Sequence, residues 1–355
     1  MKIYCLLGVG RSGVDFLQSL FDGHSQISQL PGVFYYEIFW NNVKKKTKNQ
    51  IADEFIKNHL RFFDSKIYKQ ERHDQLGKNR NESFVVNKKI FKKNFIKLCK
   101  NSIDKKKVLV NLHLAYSKTS GENIKKKKVI LINVHQIQHL LGFEKLDFEI
   151  ILNLRHPISS LNSSVKHWLN FSHKNVDLWW LNFQFDRLLN LVSDSLKFQK
   201  KIHVVRLDLI HVQNISYLKK ISKIMRINYE KCLNKSTYHG KLWWSDKLSN
   251  KNLNGFNKKF SDKFDYNFFD EKDLIYLENN FSFYYSFFKY KKILNKKSSF
   301  IYRFLPLKIE LIVWKNIFKT FNLWQILLIP FYYIKRINMM RNNKKFKSKL
   351  INKIL

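Results

Sequence analysis

The chain has 355 residues, 45% of them hydrophobic and 31 of them Phe, and carries a formal net charge of +39. That leaves no doubt about burial of a core, and allows one large α/β domain or a domain with a substantial appendage. Its three cysteines, Cys5, Cys99 and Cys232, have neither pairing nor metal-ligand spacing, so no disulfide and no metal site is expected and a reducing compartment is. The lysines are spread along the length among many Asn, Ile and Phe, a global compositional bias that is compatible with anionic ligands. The runs Lys44–Lys46, Lys105–Lys107 and Lys125–Lys128 read as solvated loops and helix ends, so no specific nucleic-acid partner is expected. The apolar stretch before the first glycine is too short for a signal peptide, and no run approaches ~18 apolar residues. A cytoplasmic protein is therefore expected, with peripheral contact at the inner face of the membrane as a further expectation.

Ile3 to Leu7 is a short continuous apolar run ending in glycine and predicts a buried strand. Gly8, Gly10 and Gly13 then punctuate a loop, and Phe16, Leu17, Leu20 and Phe21 recur at helical spacing until Gly23. Residues 24–46 read as a loop with a Pro31-Gly32 turn and an aromatic cluster around Glu37, and residues 50–102 as helical with a polar break from Lys69 to Glu82. Further strands are predicted at Val108–Leu112, Val129–Val134, Phe148–Leu154 and Ile202–Leu207, with a helix from about Val176 to Leu196. Strands alternating with helices predict an α/β fold with a mostly parallel sheet covered on both faces. Ligands bind such sheets at the carboxyl ends of the strands, which singles out Arg11, His113, His135, Arg155 and Asp208. The tail from residue 298 changes character: basic and apolar residues alternate to Phe318, and Phe321–Ile334 is almost wholly apolar around Pro330, before a Lys/Arg-rich end. The expected organisation is an α/β domain over 1–297 and a helical extension over 298–355, packed on the domain or lying at a membrane interface.

A strand, a glycine loop and a helix aim backbone N–H groups and a helix dipole at one point, which suits phosphate. Gly8 to Gly13 has the G-x-x-x-x-G spacing of a P-loop. Val14 and Asp15, however, stand where a nucleotide triphosphatase needs Lys and Ser/Thr, and this argues against a kinase or nucleotide switch. A cation, Arg11, and then Ser12 sit inside the loop instead. A second strand end, at Leu154, is followed by Arg155, by Pro157 at a helix start, and by Ser163 eight residues after the arginine.

Together these residues resemble the sulfotransferases that use 3′-phosphoadenosine 5′-phosphosulfate (PAPS). The resemblance spans roughly residues 1–290. Arg11-Ser12-Gly13-Val14-Asp15-Phe16 matches the family's 5′-phosphosulfate loop, and Arg155 with Ser163 its 3′-phosphate motif. Gly23-His24 and Ile27 resemble the end of the first helix in bacterial and glycan sulfotransferases, and Gly240-Lys241-Leu242-Trp243-Trp244 the loop that closes over the nucleotide. Val14 and Asp15 replace two threonines that bind the 5′-phosphate, a loss of two donors each worth about 1 kcal/mol or more.

The resemblance implies sulfuryl transfer from PAPS, leaving the bisphosphate PAP, to a hydroxyl or amine acceptor such as a glycan or lipid-linked saccharide, with no metal. Arg11 would meet the developing charge, Gly10, Ser12, Gly13, Val14 and Asp15 would line the loop, and Phe16 would stack on adenine. Gly240, Lys241 and Trp243 would cover the nucleotide. Two residues compete as base: His135, after the strand Val129–Asn133, and Glu37, whose apolar neighbours would raise its pKa. His113 is a distant third. Alternatives are a degenerate nucleotide-binding protein of the same fold, or a basic membrane- or nucleic-acid-binding protein.

Overall fold

The computed structural model of the chain describes all residues except 68, 100–102, 172–177, 246–254, 258–267, 320–322, 342–350 and 354–355. Val176, Phe321 and most of the Lys-rich end lie outside the described residues. In chain order the elements begin with β1 (Lys2–Gly8), α1 (Val14–Leu20), β2 (Ile27–Val33), α2 (Tyr36–Val43), α3 (Lys48–Asn58), α4 (Leu60–Phe63), α5 (Lys88–Leu98) and α6 (Lys105–Thr119). They continue with β3 (Val129–His135), β4 (Phe148–Leu154), α7 (Pro157–Phe171), α8 (Leu178–Leu196), β5 (Ile202–Arg206), α9 (Leu207–Met225), β6 (Thr237–Tyr238) and β7 (Lys241–Leu242). The last are α10 (Glu271–Asn280), α11 (Ser282–Ser286), α12 (Lys308–Lys319), α13 (Leu323–Arg341) and β8 (Ile351–Lys353).

Six strands form one sheet in the order β2-β3-β1-β4-β5-β8, with every pair parallel. The period-two alternation of β1 shows why both faces must be covered. Ile3, Cys5 and Leu7 enter one apolar cluster, and Tyr4 and Leu6 enter a second cluster on the other side. The α/β parallel-sheet architecture is as expected, and β1, β3, β4 and β5 fall on the apolar runs that predicted them.

Two local expectations are corrected. Val108–Leu112 is not a strand but part of α6, whose Asp104 side chain caps it by accepting the Lys107 N–H (2.8 Å). Val108, Leu109, Leu112, Ala115 and Tyr116 are its buried stripe, a helical spacing that five residues alone do not reveal. His113 therefore lies inside a helix, donating from Nδ1 to the Leu109 carbonyl (2.9 Å), and not at a strand end. Conversely, residues 27–33 form edge strand β2, and Pro31-Gly32 is a bulge in it rather than a turn. The pairing with β3 jumps from Gln29↔Leu131 to Val33↔Asn133, and Gly32 has φ +99°. An edge strand tolerates a proline, because its missing N–H need not join a ladder.

The tail is fixed to this frame. Arg336, fully buried, forks onto Glu310 (Nε to Oε1 3.1 Å, Nη2 to Oε2 3.2 Å) and donates to the carbonyls of Arg303 and Leu305 (3.0 Å each). Asn182 of α8 donates to the Tyr332 carbonyl of α13 (3.2 Å), and β8 pairs with β5. Among the described residues no helix is long and apolar enough to cross a membrane. Replacing Arg336 by Leu strands the Glu310 carboxylate and is expected to cost about 3–5 kcal/mol, read as a lower urea midpoint. An unchanged midpoint contradicts that role.

Buried imidazoles set the acid limit of the fold. Burial pushes His113 and His156 down to about 4 and His73 to about 3. The unfolded chain, titrating near ~6.5, takes up these protons first, so stability is level above that value and falls below it. By pH 5 each buried imidazole should cost roughly 2 kcal/mol. A melting temperature that drops steeply between pH 6.5 and 5 is expected; a flat profile contradicts it.

Candidate anion-binding active site

Close approach forces two of the three glycines of the first loop, Gly8 and Gly13. A methyl on Gly8 would overlap Ser12 Oγ and lie 2.6 Å from Val14 Cγ2, and Gly13 has φ +82° with Leu207 Cδ1 2.7 Å from where a methyl would sit. The loop carbonyls all turn into the protein. Val9 accepts the Ser12 N–H (3.0 Å), Gly10 accepts the Ser160 and Ser164 hydroxyls (3.0 and 3.3 Å), Arg11 accepts Arg155 Nη1 (3.3 Å), and Ser12 accepts Asn153 Nδ2 (2.9 Å). With these acceptors tied back, the loop carbonyls are occupied by the protein, and of the loop N–H groups that of Ser12 is used by Val9. The first helical bond of α1, Leu17 N–H to Gly13, leaves the amides before it without an intrahelical acceptor.

The two candidate anion motifs meet here. Arg155, at the end of β4, holds the Arg11 carbonyl, and Arg11 Nε donates to Ser163 Oγ on α7 (3.3 Å). Arg11, Arg155 and Ser163, separated by up to 152 residues, thus form one cluster. Arg11 has φ +65°, a left-handed conformation that costs a non-glycine residue about 1–3 kcal/mol and recurs at functional sites. Ser12 is 2% exposed, and its Oγ has no hydrogen-bond partner among the described residues.

His135 closes β3 beside this cluster. Its partner in β1 is Leu7, while Asn133 pairs with Leu6, so Val134 is bulged out of register and the bulge re-aims His135. Its φ is +61°. Arg187 of α8, which sequence reasoning missed, reaches the carbonyls of Gly8 and His135 (3.3 and 3.4 Å) and so clamps the ends of β1 and β3 together. Burial lowers the His135 pKa below its ordinary value, Asp15 opposes that, and Arg187 and Arg11 add to it. Its Nδ1 is buried with no partner among the described residues. The ring is therefore neutral near pH 7, with an open nitrogen.

Val14 and Asp15 face inward. Val14 is buried in the apolar cluster under α1, and the Asp15 carboxylate accepts from Asn133 Nδ2 (2.8 Å). Phe16 stacks on His211 (4.7 Å, 14°) and meets Phe256 edge-on (5.8 Å), so protein already covers one of its faces.

Glu37 departs from its expectation. Burial would raise its pKa, but hydrogen bonds from Lys105 (3.0 Å) and Asn41 (2.8 Å) outweigh burial and hold it below the ordinary range. Gly240, Lys241 and Trp243 lie not over the loop but in the β6–β7 hairpin, past the other end of α1. There the Gly240 N–H meets Asp22 (2.8 Å), Lys241 pairs with Glu82 (2.6 Å), and Trp243 donates to the Glu71 carbonyl (2.7 Å). They staple the 64–86 segment. A cavity of about 210 Å³ beside them, lined by Asp22, Gln29, Tyr116 and His239, lacks every residue of the arginine cluster. Asp208 is engaged by the Arg206 guanidinium.

No protein-family model matches the chain, and no curated protein does. Among solved structures it is similar to the sulfotransferase domain from the curacin biosynthetic pathway, at 15% identity over 72% of this chain and 88% of that one, with a TM-score of 0.39. It is also similar to the sulfotransferase domain of the Synechococcus PCC 7002 olefin synthase, at 12% identity over 67% and 78%, with a TM-score of 0.35.

Gly8→Ala should force the loop off Ser12 and Val14 and cost about 1–3 kcal/mol, measured by denaturant unfolding. A neutral result would mean that the loop is not packed as described.

Proposed function

We propose that the chain is a sulfotransferase that uses PAPS as donor and acts on a hydroxyl or amine acceptor, with a glycan or lipid-linked saccharide as the expected class. The observation that carries this reading is the convergence of Arg155 and Ser163 on Arg11. It brings the residues of two candidate anion-binding elements into contact, which supports two phosphates of one nucleotide as the ligand.

The donor supplies an activated sulfuryl group on a phosphate leaving group. The chain's residues supply position and charge. The loop amides and Arg11 hold the 5′ end and stabilise the charge that develops there; an arginine does this without giving up its proton. Arg155 and Ser163 hold the 3′-phosphate, and the bidentate reach of a guanidinium favours that over a lone hydroxyl. His135 takes the acceptor proton. Neutral near pH 7, it is ready to accept, and the Asp15 carboxylate favours the imidazolium that results. Glu37, paired with Lys105, is the weaker base. In this reading Asp15 stands in for no phosphate ligand; its place is with Asn133 and His135.

Calorimetric titration with adenosine 3′,5′-bisphosphate tests the reading. Wild type should bind, and Arg11→Ala and Arg155→Ala should each weaken binding by a factor of about 10–100, as expected for charge-assisted hydrogen bonds worth about 1.5–3 kcal/mol. His135→Ala should bind normally and transfer about 10²–10⁴-fold more slowly. Absence of binding by wild type sinks the proposal. Binding without transfer to any offered hydroxyl or amine favours the degenerate nucleotide-binding alternative.

A further inference from the structure

Helix α13 is apolar on two faces. Ile326, Ile329, Tyr332 and Met340 pack against the main core. On the other face Leu323, Trp324, Leu327, Leu328, Phe331 and Ile334 follow one another along a single stripe at helical spacing. That stripe is open to solvent, with Trp324 78%, Leu327 71% and Phe331 59% exposed. Twelve of the 23 exposed large hydrophobic side chains among the described residues lie between Phe300 and Ile334. Scattered exposed apolar residues are ordinary, but a concentration of this kind marks a surface that meets something.

The charge of the same tail narrows what that is. On α12, Lys308, Leu311, Lys315, Phe318 and Lys319 share one exposed face, so that basic and apolar side chains interleave. Residues 300–355 contain twelve Lys and Arg and a single acid, Glu310, which is buried against Arg336. Two copies of this chain pressed face to face would bring like charges together, at a cost. An anionic bilayer satisfies both features: the apolar stripe enters the acyl boundary, and the lysines reach the headgroups.

We infer that the exposed face of α12 and α13 docks on the surface of an anionic membrane, lying in its interface without crossing it. The Arg336–Glu310 fork and the packing of α13 on α8 make the docking face rigid with respect to the sheet. This inference does not depend on the sulfotransferase reading. The alternatives of tail packed on the domain and tail at the interface become two faces of one helix.

The test is co-sedimentation of the full chain with vesicles of phosphatidylcholine, with and without phosphatidylglycerol, together with the tryptophan emission maximum of wild type compared with that of Trp324→Phe, and sedimentation velocity of the protein alone. Wild type is expected to pellet with the phosphatidylglycerol vesicles and to shift its emission to the blue. Leu327→Glu/Phe331→Glu should cut partitioning at least roughly tenfold with an unchanged thermal melt, since both side chains are solvent-facing. Lys315→Gln/Lys319→Gln, which leaves the apolar stripe intact, should weaken binding and its salt dependence. Wild type remaining in the supernatant overturns the inference. So does undiminished binding by the Leu327/Phe331 variant, which would mean adsorption by net charge alone. A dimer that these same substitutions dissociate, with no vesicle binding, would assign the face to a second copy of the chain.

Discussion

The carbonyl oxygens of Val9, Gly10, Arg11 and Ser12 each accept a hydrogen bond from the protein itself. A loop so close to three strand ends has few ways to satisfy its backbone, because each peptide must place either its oxygen or its N–H toward buried surroundings. Asn153, Arg155, Ser160 and Ser164 settle the matter in favour of the oxygens. The donors the loop has left include the Arg11 guanidinium, while the Ser12 N–H is taken by Val9. The side chains that donate to these oxygens come from β4 and α7, and they are the same stretch that carries Arg155 and Ser163. One set of contacts therefore both shapes the loop and attaches the second anion motif to it.

Arg11, in this loop, and His135, beside it, both adopt left-handed conformations. Arg11 is held by its carbonyl and side chain at once. His135 is held by a bulge in β3 and by Arg187, whose guanidinium also holds Gly8 at the start of the loop. The cation arm and the base candidate are thus tied to the same strand ends. A change at Arg187 acts on both without touching either side chain.

The legible parts of the sequence are those whose signal is local. Glycines at 8, 10 and 13 after an apolar run give the strand, loop and helix, and Arg155 followed by Pro157 and Ser163 gives the second motif within nine residues. Signals that depend on a distant partner were not legible. Glu37 owes its low pKa to Lys105, 68 residues away, and no local pattern marks Arg187 within the amphipathic stretch of α8. Val108–Leu112 misleads because a short apolar run with two valines satisfies strand and helix patterns equally until Ala115 and Tyr116 extend it. Pro31-Gly32 misled because a bulged edge strand uses the same residues as a turn. The Gly240–Trp244 segment carries the composition of a nucleotide-covering loop, yet Asp22, Glu82 and Glu71 draw it to the far end of α1.

The central claim is that Arg155 and Ser163 supply a second phosphate position beside the Arg11 loop. It is tested most directly by comparing the affinities of adenosine 3′,5′-bisphosphate and adenosine 5′-monophosphate for wild type and for Ser163→Ala and Arg155→Ala. The account predicts that the 3′-phosphate strengthens binding to wild type by at least about tenfold, and that Arg155→Ala and Ser163→Ala each shrink this difference, Arg155→Ala also weakening the 5′-monophosphate because it releases the Arg11 carbonyl. Equal affinity of wild type for the two nucleotides would contradict it.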